Sequence, residues 1–316
     1  MAAIAQSGFR PNANARRLVH GASGQVCFLL ANRDLSDSFH SRILKGIEDY
    51  SRQQRHQVVY ASVDYSPNTV LPNPDLPRIL REDGGVEGVI LAGVNYPTLI
   101  RYIESLSLAY VVFGNNLVRD SGAYPKFNAV EFDEGRGARE AAEFLIELGH
   151  RHVVFIGDLS MLWYRRRFEG YQAAMKAKNL QPAAINLLQE KDGVDLGRRA
   201  VAELIRKHSC ATAVLAQDDE TACGVMAALR CLGIRVPGDI SVVGFDDIRA
   251  ADYLTPPLTT VRVPKEQVGW KMAEMLFQRI ERKPAPAVML GTELVIRGSC
   301  ARLNVEAEGI AAKGTR

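Results

Sequence analysis

Four short stretches carry the residues best suited to grip a small polar molecule. They are Asn32-Arg33-Asp34-Leu35-Ser36-Asp37-Ser38-Phe39, Trp163-Tyr164-Arg165-Arg166-Arg167-Phe168-Glu169-Gly170-Tyr171, Gln217-Asp218-Asp219-Glu220 and Gly244-Phe245-Asp246-Asp247. A carboxylate or a guanidinium fork takes two hydrogen bonds from neighbouring hydroxyls, and a flat ring covers the apolar face of a sugar. Singly, these residues have plainer explanations. One Asp of each pair suits a helix cap or turn, and one or two of the three arginines suit solvent. Together at four strand ends they predict a small-molecule cleft. Arg33, Arg165 and Arg167 leave an acidic guest open, such as a sugar acid or phosphate. Asp218 and Asp246 favour neutral hydroxyls.

Other chemistry is not supported. Gly135-Arg136-Gly137 stands between a strand pattern and a helix pattern, but position 140 is Glu where a dinucleotide fingerprint needs its third glycine. No GxxxxGK[ST], HExxH or GxSxG occurs, and no nucleophile, base and oxyanion set assembles. His150 and His152 flank Arg151 without a third ligand and read as surface residues rather than a metal site. Cys27, Cys210, Cys223, Cys231 and Cys300 form no CxxC pair, so they read as reduced thiols of a cytoplasmic protein. The expectation is no enzyme, no cofactor and no metal.

The elements that must position these residues follow from hydrophobic pattern. Val26–Ala31, Val58–Val63, Val86–Ala92, Leu108–Phe113, Val153–Gly157, Ile185–Leu188, Ala213–Ala216 and Ile240–Phe245 are short apolar runs. They read as strands buried on both faces. Between them run helical stripes: Ala138, Ala141, Ala142, Leu145 and Ile146 with Gly149 as stop, then Ala222, Val225, Met226, Leu229 and Leu232 with Gly233 as stop. Val268, Met272, Met275, Leu276 and Ile280 form a third. This alternation predicts an α/β chain with parallel sheets covered by helices on both faces. At 316 residues, two domains are expected, joined near Gly149–His152. Ligands of such open sheets bind at the carboxyl ends of strands. No apolar run reaches the length of a membrane helix, and the first residues lack the apolar core of an export signal.

The formal charge is +3, and Arg10, Arg16 and Arg17 lie in the first 24 residues with no acidic partner. The rest of the chain balances at 36 basic and 36 acidic residues. A basic arm ahead of a neutral body suits a polyanion, or a solvated terminus.

These segments closely resemble the lactose-repressor (LacI/GalR) family of bacterial transcription regulators, from Gly8 to about Leu303. Gly8-Phe9-Arg10-Pro11-Asn12-Ala13-Asn14-Ala15-Arg16-Arg17-Leu18 looks like the family's DNA hinge. Leu148-Gly149-His150-Arg151-His152-Val153, followed by Arg167-Phe168-Glu169-Gly170-Tyr171, is similar to its "LGHRxI…RxxGy" signature. Asp218 to Gly224 resembles "nDxxAxG". Val236 to Asp247, with Pro256-Pro257-Leu258-Thr259-Thr260-Val261, is similar to its most recognisable run.

The resemblance implies two Rossmann-like lobes of periplasmic-binding-protein type I, with three crossovers near 149–151, 262–265 and 289–291. The N-terminal lobe would hold 25–149 plus 265–289, and the C-terminal lobe 150–264 plus 290–303. Residues 1–24 would be a head-and-hinge remnant and 304–316 a tail. It implies effector contacts at Phe39, Arg167, Asp218 and Asp246, with Trp163 beside them; Arg33 joins this set from its strand-end position. The hinge positions are Arg10, Pro11, Asn12, Ala15, Arg16, Arg17 and Leu18, with the arginines on phosphates and Leu18 as a minor-groove wedge. Ala2–Ser7 would match the end of the helix-turn-helix, whose two groove-reading helices are missing from this sequence. The expected partners are a sugar or sugar-derived effector, operator DNA in the full-length form, and a second copy in a homodimer. An exported sugar-binding protein, or an enzyme acting on sugars, are the alternatives.

Overall fold

The computed structural model describes residues 23–33, 35, 38–73, 75–81, 85–118, 128–189 and 192–303. The hinge positions Arg10 to Leu18, the 304–316 tail, and Asp34, Ser36 and Asp37 lie outside the described residues.

The described residues form two units, each around a six-stranded sheet. The first unit comprises described residues through Glu131 together with Lys265–Val288. Its strands are β1 (Gln25–Ala31), β2 (Gln57–Val63), β3 (Gly88–Gly93), β4 (Ala109–Phe113) and β5 (Ala129–Phe132). With β11 (Val288–Leu290) they lie in the order β11-β5-β4-β3-β1-β2. Strands β1 to β5 pair in parallel. β1 and β3 are buried almost throughout, as unbroken apolar runs between two helical layers should be. β2 departs from the expectation of burial on both faces. It has a single neighbour, β1, and leaves Tyr60 41% exposed. Helices α1 (Ser38–Gln53), α2 (Pro97–Ser105) and α7 (Lys265–Ile280) belong to this unit.

The second unit comprises Phe132–Pro264 with described residues from Met289. Its strands β6 (Val153–Gly157), β7 (Ala183–Asn186), β8 (Ala213–Ala216), β9 (Ser241–Asp246), β10 (Thr259–Arg262) and β12 (Glu293–Val295) lie in the order β12-β10-β9-β8-β6-β7. All neighbours are parallel except β10 and β12. Its helices are α3 (Glu134–Glu147), α4 (Leu162–Ala177), α5 (Gly193–Lys207) and α6 (Asp219–Cys231). Asp133, Asp192 and Asp218 cap α3, α5 and α6 by accepting a backbone N–H three residues on. Gly149 at φ +98° and Gly233 at φ +69° follow α3 and α6, where left-handed backbone is needed.

Along the chain the units change at Glu131/Phe132, Pro264/Lys265 and Val288/Met289, beside expected crossings near 149–151, 262–265 and 289–291. Helix packing sets the first. A Cβ on Gly170 of α4 would stand 2.0 Å from the Gly135 carbonyl oxygen of α3, and one on Gly137 would stand 2.9 Å from Val261. Helix α3 is therefore part of the second unit's core.

Candidate effector site

In the second unit, strand ends and helix starts gather the polar residues. Arg167 projects from α4 and is only 4% exposed. Its Nη1 donates to the Gln217 carbonyl at 2.5 Å and its Nη2 to Asp246 Oδ1 at 3.0 Å. The guanidinium carbon sits 3.8 Å from the centre of the Phe245 ring, a cation–π contact. Arg167 Nε lies 4.0 Å from Glu134 Oε2, and Glu134 also pairs with Arg166. Burial alone would lower the Arg167 pKa; Asp246 and Glu134, with Tyr164 and Asp218, outweigh it and hold the pKa above the usual arginine value. The group is a fixed cation.

Asp218 is the N-cap of α6: its Oδ1 accepts from Thr221 N at 2.8 Å. Its Oδ2 accepts from the Tyr164 hydroxyl at 2.7 Å and from Gln217 Nε2 at 3.3 Å. Burial, and then the Asp218 charge, push the Tyr164 phenol well above its usual pKa, so it remains a donor. Gln217 is fully buried and ties the ends of β6 and β8: its Oε1 accepts from Asp158 N at 2.6 Å and its Nε2 donates to Gln189 Oε1 at 3.0 Å. Asp219 accepts from the Thr260 hydroxyl at 2.5 Å and Ile248 N at 2.8 Å. Gly244 lies over it, since a Cβ there would come 2.1 Å from Asp219 Oδ1.

Asp246 ends β9 with φ +106°, a region that non-glycine residues rarely enter and that costs about 1–3 kcal/mol. Asp247 follows at φ +53°. Its carboxylate is paired with Arg262 and Arg297, both at 2.7 Å. Burial raises its pKa, but those two guanidiniums more than offset it and hold the group below the usual Asp value.

The structure brings Arg167, Asp246 and Asp218 into one network through Gln217 and Tyr164. Trp163 is 6% exposed, with its ring 5.7 Å from that of Tyr164. Arg165 does not join: its Nε and Nη2 donate to the Leu159 carbonyl on the surface. Phe39 and Arg33 belong to the first unit. Phe39 packs 5.8 Å from Phe113, with the Lys265 ammonium 5.8 Å from its ring. Arg33 is exposed, and its Nη1 lies 3.4 Å from the Asn32 carbonyl. Asn32 binds Tyr65 N and the Val94 carbonyl, so it joins the ends of β1, β2 and β3.

His150 is not at the surface as its sequence context suggested. It is 2% exposed, with Nδ1 3.0 Å from Thr212 Oγ1 and Nε2 3.0 Å from Ser241 Oγ and 3.2 Å from the Ala301 carbonyl. Burial lowers its pKa, with the Ala301 bond partly opposing. No group of three or more metal-binding side chains occurs among the described residues. Tyr164, Gln217 and Glu134 were not singled out from sequence; only the position of Tyr164 and Gln217 within the four stretches pointed toward them.

A profile described as the periplasmic binding protein-like domain matches residues 142–300. The HTH-type transcriptional regulator DegA of Bacillus subtilis is 28% identical over 303 residues, covering 95% of this chain and 87% of that protein. Among solved structures, a LacI family transcriptional regulator from Enterococcus faecium with bound ribose superposes with TM-score 0.75 at 25% identity, over 89% of this chain and 100% of that one. The transcriptional regulator CelR–cellobiose complex gives TM-score 0.75 at 25% identity, over 94% and 88%. In fold, motif order and length of match, the chain belongs to the periplasmic-binding-protein-like family, among the LacI-type transcriptional regulators.

Proposed function

We propose that this regulator binds a neutral, hydroxyl-rich small molecule, a sugar or uncharged sugar derivative, through Arg167, Asp246 and Asp218, with Trp163, Phe39 and Arg33 as further contacts. The observation that carries this reading is the Arg167–Asp246 pair. A cation and an anion side by side offer donors and acceptors to neighbouring hydroxyls. The same pair disfavours a sugar acid, because Arg167 is already matched by Asp246 and Glu134. The relatives solved with ribose and with cellobiose support the sugar class.

The bound sugar shifts the affinity for DNA by its differential binding to two conformations, typically 1–3 kcal/mol. The DNA contacts are Arg10, Arg16 and Arg17 of the arm, with Pro11, Asn12, Ala15 and Leu18 as the other hinge positions. A homodimer would present two such arms. The reading places the protein in the cytoplasm with its DNA; among the described residues no helix is long and apolar enough to cross a membrane. It also has the guest released unchanged. Calorimetry against neutral sugars and their uronic acid and phosphate counterparts tests the site. The neutral forms should bind, and Asp246→Ala should remove binding. Tighter binding of the acids, or unchanged affinity in Asp246→Ala, refutes it.

A further inference from the structure

Two successive non-glycine residues, Asp246 and Asp247, hold positive φ at the end of β9. Such a backbone persists only where its surroundings over-determine it. The groups that hold it gather on Asp247. Arg262 Nε donates to Asp247 Oδ2 and Arg297 Nη2 to Oδ1, both at 2.7 Å. Arg297 is itself fixed, with Nη1 on the Leu258 carbonyl at 2.9 Å, Nε on Asp252 at 2.7 Å and its backbone N on Thr259 Oγ1 at 3.0 Å. Arg262 is the register partner of Asp246 on β10 and also reaches Glu293 of β12 at 3.1 Å.

We propose that Asp247 is a positioning residue for guest recognition. Its double ion pair locks the 246–247 backbone in the left-handed region, and that backbone aims the Asp246 carboxylate at Arg167. The inference rests on the reading of Arg167 and Asp246 as the guest-binding pair. It adds a specificity layer that never touches the guest: the Asp246 carboxylate direction is set by Arg262 and Arg297. It also gives the layer a location. Arg262 lies on β10, which leads to the unit boundary at Pro264/Lys265, and Glu293 lies on β12, which follows the boundary at Val288/Met289. One ion network centred on Asp247 therefore ties the residue after the guest-binding Asp246 to both strands.

The test combines ligand-free crystal structures with calorimetry, using D-ribose and cellobiose as probes. In Asp247→Asn, Asp246 should leave its positive φ, lose its bond to Arg167, and bind the probes about 10-fold more weakly or worse. Arg262→Met should weaken binding similarly, while Arg262→Lys, which keeps the charge, restores affinity to within about 3-fold of wild type. Arg262 is half-exposed, so this pair folds even if Asp247→Asn does not. Asp246 and Arg167 unmoved in Asp247→Asn, or Met and Lys at position 262 binding alike, overturns the proposal. Asp246→Ala separates the two readings. Wild-type affinity there refutes the binding pair itself; lost affinity there, with Asp247→Asn unaltered in geometry and affinity, refutes only the positioning role.

Discussion

Arg167 and Asp246 are coupled tightly enough that their substitutions should differ in kind. Arg167→Ala removes the buried cation from between Asp246 and Glu134, leaving Glu134 to Arg166, so it should lower stability by up to about 3–5 kcal/mol as well as remove binding. Asp246→Asn keeps shape and an acceptor, so it should lose guest affinity with a melting temperature close to wild type. Urea unfolding of both variants, run beside calorimetry, checks the contrast. His150 makes a separate prediction. Its folded pKa lies below the ordinary 6.5, so on acidification the unfolded chain takes up a proton that the folded chain refuses. Stability is full above about pH 6.5 and falls by up to about 1.4 kcal/mol per pH unit below it, until the folded pKa is reached. Equilibrium unfolding between pH 5 and pH 8 should show this slope, and His150→Asn should flatten it while lowering the plateau.

Among elements, helix contacts through glycine carry the most information. A Cβ at Gly170 would meet the Gly135 carbonyl at 2.0 Å, at Gly269 the Ile43 carbonyl at 1.9 Å, and at Gly224 the Val194 carbonyl at 2.1 Å. Each joins a helix pair, α3 with α4, α1 with α7, and α5 with α6. Alanine at any of them should cost about 1–3 kcal/mol or more through overpacking, whereas Gly291→Ala, with open space around it, should be near neutral by thermal denaturation. These contacts also explain what the sequence concealed. The long buried strands and the α3, α6 and α7 stripes were legible because their apolar periods are uninterrupted. Helix α3 looked like the last helix of the first lobe because nothing in its pattern says which sheet it covers; Gly170 against Gly135 decides that. Strands β10, β11 and β12 were not singled out, being three or four residues long, and β10 and β12 also mix Thr, Arg or Glu with apolar residues. Arg167 and Asp246, singled out by motif, lie together in the structure, and Asp218 takes the cap role expected of one Asp in its pair. His150 misled because its neighbours Arg151 and His152 are exposed while its own ring is buried.

For the whole molecule, the arm and the guest site give independent measurements. A dimer would present six arm arginines. At about 0.9 per neutralised phosphate, the log–log salt dependence of DNA affinity should reach a slope of about −5, and Arg16→Ala should make it shallower by up to about 2. Filter binding across a salt series reads both. A sugar at 100 times its Kd should stabilise the fold by about 2.7 kcal/mol. A last consequence follows from the second unit's dependence on its own final residues. Ser299 accepts the Val242 amide hydrogen through its carbonyl and donates its hydroxyl to the Val242 carbonyl, and Ala301 meets both His150 and Ser241. During synthesis, the Val242 end of β9 therefore stays unpaired on one side until Ser299 and Ala301 have been made. A nascent polypeptide stalled before that point holds most of this half already made yet unlatched, with Ser241 and His150 still lacking their Ala301 partner.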